Sequence, residues 1–310
     1  MGTSSGAVRR PLTAVELIEV APRDGLQNEK QLLTTGAKLE LIERAYEAGA
    51  RRIEVTSFVH PERVPQMADA EAVVAGLTPH DDVAYAALVL NERGYDRARA
   101  AGIREVNTVV ITTETFSERN QGMSVAETVE VVSRIRTRAA ADGIWVTVTI
   151  SAAFGCPFEG EVPLETLTRV AEQVAAIGAD EIVLADTIGV AVPSDVEERI
   201  AVMREIGASA TLRAHFHNTR NTAVANVVAA VRCGVTAIDA SLAGIGGCPF
   251  APAATGNVAT EDLVYALGRM GYETGYDLER SIASARWVAG ELGIEPPGMI
   301  ARAGGFRDRR

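Results

Sequence analysis

The chain has 310 residues, 47% apolar and 23% charged, a globular composition with ample material for a core. Its formal net charge of −11 argues against nucleic acid or an anionic membrane surface as a partner, while leaving room for a local basic pocket that takes a phosphorylated ligand. No apolar run approaches the ~20 residues of a membrane span. The three cysteines form neither an even framework nor a paired zinc motif, so a reducing cytoplasm is the expected setting.

The opening MGTSSGAVRRPLT lacks the apolar region of a signal peptide, and Gly6 stands where a myristoylation motif wants Ser or Thr. Residues 1–13 are therefore expected to be a loose tail. Short β-branched runs then alternate with amphipathic stretches rich in Ala, Glu and Arg. Strands are expected at residues 15–20, 51–58, 83–90, 105–111, 145–151, 181–187, 212–218 and 237–244. Helical patterns such as TGAKLELIERAYEAGA and SVAETVEVVSRIRTRAAADG lie between them, with Gly near several ends.

Near-continuous apolar strands separated by helices indicate a parallel sheet covered on both faces. Eight such units without a Pro- or Ser-rich linker predict an α/β fold, a (β/α)8 TIM barrel forming one catalytic domain over residues 1–310. An open doubly wound sheet is the alternative, weakened because no G-x-G-x-x-G follows the first strand. DLVYALGRMGYETG and LERSIASARWVAGELG read as additional C-terminal helices, and residues 303–310 as a second loose tail.

In such a barrel, chemistry gathers where strands end and βα loops begin. Arg23 and Asp24 fall just past the first strand. Glu54 is a charge inside the second, and Asp186 tips the sixth. His215 and His217 lie on the seventh, and a glycine-rich loop with Cys248 and Asn257 follows the eighth. Strand residues i and i+2 share a face, so His215 and His217 project together and suit adjacent positions on one metal ion. A pair of hydrogen-bonded core histidines is the plainer alternative. Asp24 as an oxygen donor, with Asn257, would complete a mixed N/O site. Ligation of that kind without thiolate points to Mg²⁺ or Mn²⁺ more than structural zinc. Asn218 either orients an imidazole, binds substrate or closes the strand.

The remaining charges divide between structure and chemistry. Glu54 is costly in an apolar strand unless paired, and Arg23 is its expected partner, for structure or for substrate positioning. Asp186 either caps the next helix or joins the site, the second being favoured by the crowded barrel mouth. Cys233 reads as a small apolar helix residue. Cys156 and Cys248 stand in matching GCPF quartets, and the freer backbone of GIGGCPF makes Cys248 the better catalyst and Cys156 the structural one.

APRDGLQNEK, IEVTSFVHPERVPQMAD, ADTIGV, HFHN and AGIGGCPFAPAATGNVATEDLVY together resemble the 3-hydroxy-3-methylglutaryl-CoA lyase family of the metal-dependent lyase and condensing-enzyme superfamily. The resemblance runs in order from about residue 15 to beyond residue 276. It implies that Asp24, His215, His217 and Asn257 are ligands of a divalent metal and that Arg23 stabilises an enolate. It implies further that Cys248 is a mobile-loop thiol, that Glu54 and Asp186 support the site, and that Gln27 contacts substrate. His215 is then the candidate proton relay, helped by Asp186.

The implied reaction is a retro-Claisen cleavage of an acyl-CoA substrate, 3-hydroxy-3-methylglutaryl-CoA, to acetoacetate and acetyl-CoA. A homodimer is the implied assembly. The family motif His-Cys-His-Asp-Thr-Tyr-Gly reads here His215-Phe216-His217-Asn218-Thr219-Arg220-Asn221, and these departures bear on the acyl group. Arg220, a cation near the mouth, is assigned to substrate binding, with a solvent-facing helix position as its alternative. Citramalyl-CoA or another branched 3-hydroxyacyl-CoA is the alternative substrate. A condensing synthase is a second alternative, against which the GGCP loop argues.

Overall fold

A computed structural model describes residues 14–247 and 256–306. The expected leading tail, residues 248–255 with Cys248 among them, and residues 307–310 lie outside the described residues.

Eight parallel strands close on themselves in chain order: β1 (Glu16–Glu19), β2 (Arg52–Ser57), β3 (Ala84–Leu88), β4 (Glu105–Ile111), β5 (Trp145–Ser151), β6 (Glu181–Asp186), β7 (Thr211–Phe216) and β8 (Ala237–Ala240). β8 pairs with β1, Glu16 lying against Ala237, so the sheet has no free edge and the doubly wound alternative is excluded.

Alternation along the strands decides what fills the barrel. On β5, Val146, Val148 and Ile150 are fully buried beneath the helices, while Thr147 and Thr149 share hydrogen bonds with other inward side chains. Arg52 on β2 binds Glu105 on β4 and Glu181 on β6. None of these strands is adjacent to another of the three, so the three side chains meet inside the barrel. The interior is a packed polar plug rather than the usual aliphatic layers.

Local sequence explains the helices that matter for the mouth. α1 (Thr35–Ala48) begins where Thr34 accepts the Ala37 N–H, and α5 (Val125–Asp142) begins at a Ser124/Glu127 capping box. α7 (Pro193–Ile206) places Pro at its first position, where a missing N–H costs nothing. After β8, α9 (Thr260–Met270), α10 (Leu278–Leu292) and the short α11 (Met299–Ala303) follow. α10 packs against α1 and α9 and completes the helical ring, as the additional C-terminal helices were expected to do. The chain stays ordered past residue 303, where the second tail was expected to start. Ala303 closes α11, and the Arg269 guanidinium stands 5.5 Å over the Phe306 ring.

At the mouth, β3, β7 and β8 stop two or more residues short of expectation. β7 stops at Phe216, and His217 sits beyond it in an isolated bridge with Asn257. β8 stops at Ala240 because Ala243 and Gly244 take φ of 65° and 71°, which no strand allows. No helix of the described residues is long and apolar enough to cross a membrane.

Candidate active site and metal centre

The turn after β1 is a single wide helical turn over Ala21–Gly25, with Pro22 in its first positions. It swings Arg23 and Asp24 over the barrel mouth. Opposite, the segment after β8 returns along the end of β7: Asn218 donates its N–H to Gly256 O and Val258 to Phe216 O, at 2.8 and 3.0 Å. This pairing carries Asn257 to His217. Glycines permit the close approach. A Cβ at Gly246, whose φ is 109°, would lie 2.5 Å from Asn257 Nδ2 and 2.9 Å from Asp24 O, and one at Gly256 would lie 2.0 Å from Gly244 O.

Asp24, His215 and His217 thus converge with one ligand atom from each within 4.8 Å of the others, the metal-capable grouping among the described residues. The two imidazole centroids are 5.0 Å apart. His217 Nε2 lies 3.9 Å from Asp24 Oδ2, close but not hydrogen bonded. Asn257 directs both amide hydrogens elsewhere, to Asp24 Oδ2 at 2.8 Å and Ile245 O at 3.1 Å. That leaves its Oδ1 buried without a partner. Buried acceptors without donors are costly unless something supplies the missing charge. The donor set fits a divalent cation.

Electrostatics point the same way. Burial would raise the Asp24 carboxyl, but Arg23, His215 and His217 hold it well below the usual carboxylate range. Burial and the neighbouring His215 push His217 down to about 4, so its imidazole is neutral and able to ligate near pH 7. His215 goes the other way: burial opposes its charge, yet the hydrogen bond it donates to Asp239 raises its pKa. Because Nδ1 is taken by Asp239 at 3.0 Å, His215 has one free nitrogen, Nε2. The two roles expected of His215, ligand and proton relay, therefore compete for a single atom.

Arg23 donates to Asp24 and to Glu54, each at 2.6 Å, and its buried Nε is unpartnered. Burial opposes its charge, but Glu54 and Asp24 keep the guanidinium protonated. Glu54 also accepts from Asn107 at 3.3 Å, so it is the expected Arg23 partner. Gln27 lines the cleft and accepts from Ser57 Oγ at 3.4 Å. The cleft measures about 680 Å³ and runs from the histidines outward to Arg63 and Arg119.

Two assignments shift. Both oxygens of the fully buried Asp186 accept backbone N–H groups of the β6–α7 loop, from Val190 at 2.9 Å and Ala191 at 3.0 Å, so Asp186 ties down that loop and does not cap α7, whose N-cap is Val192. Arg220 is exposed, and its Nη1 donates to the carbonyls of Ile188 and Gly189 at 3.2 and 2.8 Å. Arg220, expected to bind substrate, is not among the residues lining the cleft; its guanidinium clasps the backbone of the β6–α7 loop. Asn218 closes the strand by accepting the Ala223 N–H of α8 (Ala223–Arg232). Cys156 is buried, and its sulfur accepts from Thr113 Oγ1 at 3.1 Å, in keeping with a structural thiol. Cys248 lies outside the described residues, next in sequence to Gly247, which lines the cleft.

Sequence reading missed Asp239, Arg213 and Asn107. The signal was present: each is a polar residue on the inward alternation of an otherwise apolar strand, as Glu54 is.

Residues 14–288 match the sequence profile of the HMGL-like family. The chain belongs to the HMGL-like family. It is an enzyme, a carbon–carbon lyase. The (R)-citramalyl-CoA lyase of Chloroflexus aurantiacus is 43% identical over 303 residues, covering 94% of this chain and 96% of the relative. The mitochondrial hydroxymethylglutaryl-CoA lyase of Gallus gallus is 40% identical over 290 residues, covering 93% and 97%. A solved HMG-CoA lyase of Acinetobacter baumannii, in complex with coenzyme A and 3-methylmalate, superposes with a TM-score of 0.90 at 36% identity, covering 96% and 97%. These family members share the barrel and differ in the acyl group they name.

Proposed function

We propose that the protein cleaves 3-hydroxy-3-methylglutaryl-CoA to acetoacetate and acetyl-CoA with the help of Mg²⁺ or Mn²⁺. The observation that carries this reading is the convergence of Asp24, His215, His217 and the unpartnered Asn257 Oδ1 beside the unpartnered Arg23 Nε. When bound, the cation would polarise the substrate's hydroxyl and carboxylate oxygens and make the hydroxyl easier to deprotonate.

The chain's own groups do the rest. With Asp24, His217 and Asn257 left to hold the cation, His215 Nε2 takes the carbinol proton, and Asp239 stabilises the imidazolium that results. As the C–C bond breaks, charge develops on the thioester oxygen. Arg23 Nε, already charged and held in place by Asp24 and Glu54, is a donor that gains most from that charge. Cys248, one residue beyond the cleft-lining Gly247, protonates the departing carbon. Gln27 contacts the acyl chain. Arg63 and Arg119 at the outer end of the cleft suit the anionic groups of coenzyme A, in a protein that is otherwise acidic.

A second reading, citramalyl-CoA cleaved to pyruvate and acetyl-CoA, is favoured by the 43% identity to the Chloroflexus enzyme. The two thioesters differ by one methylene, worth about 1–3 kcal/mol in a fitted pocket. Comparing kcat/KM for both with Mn²⁺-loaded protein separates them. The proposal expects hydroxymethylglutaryl-CoA to be preferred about tenfold or more. A preference for citramalyl-CoA overturns it.

A further inference from the structure

We infer that Asp239 is a positioning residue that decides which nitrogen of His215 faces the cleft, an inference that rests on reading His215 as a site residue. Asp239 stands on β8, two residues past the pairing of Ala237 with Arg213 on β7, and is therefore level with His215. One of its oxygens lies 3.0 Å from His215 Nδ1, and the other lies 3.1 Å from Arg213 Nε. The second contact is an ion pair rather than an aligned hydrogen bond.

Arg213 is itself held from below. Its Nη1 lies 3.1 Å from Glu181 Oε2, both Glu181 oxygens bind Arg52 at 2.8 Å, and Arg52 Nε binds Glu105 at 2.7 Å. Five buried groups on β4, β2, β6, β7 and β8 thus alternate in sign across the plug and end on the imidazole. A side chain locked at both ends in this way has no other rotamer within reach.

The chemical consequence is a choice of tautomer. A carboxylate only accepts, so Nδ1 of His215 must carry the hydrogen, and Nε2 keeps its lone pair toward Asp24. Ligating a metal and accepting a proton both need that lone pair. Arg213 also makes the effect of one substitution definite. In Asp239→Asn the arginine, which only donates, draws the amide oxygen. The amide NH₂ is then left facing Nδ1, which must become the acceptor. The hydrogen moves to Nε2, and the nitrogen facing the cleft is blocked. Size is unchanged; the tautomer inverts.

The test uses the full chain. The ¹⁵N-histidine spectrum of metal-free protein at neutral imidazole, with His215 assigned from a His215→Gln variant, should show hydrogen on Nδ1. Calorimetry with Mn²⁺ should show affinity falling about 10–100-fold in Asp239→Asn, with no loss in Glu105→Gln, which removes an equal buried charge from the far end of the same chain. Hydrogen on Nε2 of the parent's His215 overturns the inference, as does equal loss in both variants or undiminished affinity in Asp239→Asn. If Asp239→Asn does not fold, the parent spectrum decides. If the parent binds no Mn²⁺, the metal reading fails while the spectrum still judges Asp239.

Discussion

Asn257 Nδ2 donates to Asp24 Oδ2 across 2.8 Å, joining the segment that precedes α9 to the turn that follows β1. The two residues are 233 positions apart, and their contact fixes both the orientation of the carboxylate and the direction of the free Asn257 Oδ1.

Gly246 guards this contact. A methyl group there meets Asn257 Nδ2 at 2.5 Å and is strained at φ 109°. Gly246→Ala should fold, since the barrel strands are untouched, and should lose Mn²⁺ affinity and turnover together. Retained affinity by calorimetry contradicts the assignment of Asn257 to the metal.

Arg220→Tyr tests the clasp on the β6–α7 loop. Loss of hydrogen bonds from an exposed guanidinium to two carbonyls should cost about 0.5–1.5 kcal/mol in urea unfolding. The ratio of kcat/KM for hydroxymethylglutaryl-CoA and citramalyl-CoA should stay the same. A changed ratio would return Arg220 to the substrate.

The two GCPF loops should separate in kinetics and stability. Cys248→Ser should lower kcat far more than KM, because a hydroxyl is a much weaker acid than a thiol. Cys156→Ser should act on melting temperature instead, its sulfur being buried and already accepting from Thr113 and from the N–H groups of Phe158 and Glu159. Equal turnover by Cys248→Ser and the parent protein refutes the proton-donor role.

Stability should fall with rising pH over a defined window. Burial pushes the Glu261 carboxyl up to about 8, and burial likewise pushes Glu19 up to about 7. Both raised values mean that the folded state holds protons the unfolded state releases near the ordinary glutamate value of 4.5. Their contribution is therefore complete below about pH 4.5 and is lost as pH rises through 7 to 8. Glu261→Gln should flatten the decline of melting temperature over that range. A parent profile that rises across the window contradicts the burial argument.

Much of this was legible in the residues themselves. Most strands showed as short apolar runs because their outer faces are buried beneath the helices, and the His-x-His spacing already put two imidazoles on one side. What the sequence could not show is which inward polar groups meet. Arg52, Glu105 and Glu181 come from strands that are not neighbours, and only closure of the barrel brings them together. Asp239 went unread in the sequence, since only the pairing of β8 with β7 sets it beside His215. Nor does the spacing of Arg220 from His217 reveal that its guanidinium meets the carbonyls of Ile188 and Gly189.

Metal-assisted cleavage of a branched 3-hydroxyacyl-CoA at the Asp24, His215 and His217 site is tested most directly by mass spectrometry of the products formed from hydroxymethylglutaryl-CoA by exhaustively chelated protein before and after Mn²⁺ is returned. Intact thioester is expected before, and acetyl-CoA with acetoacetate in equal amounts after. Full cleavage by the metal-free protein, or an unconsumed thioester with metal bound at the site, would contradict it.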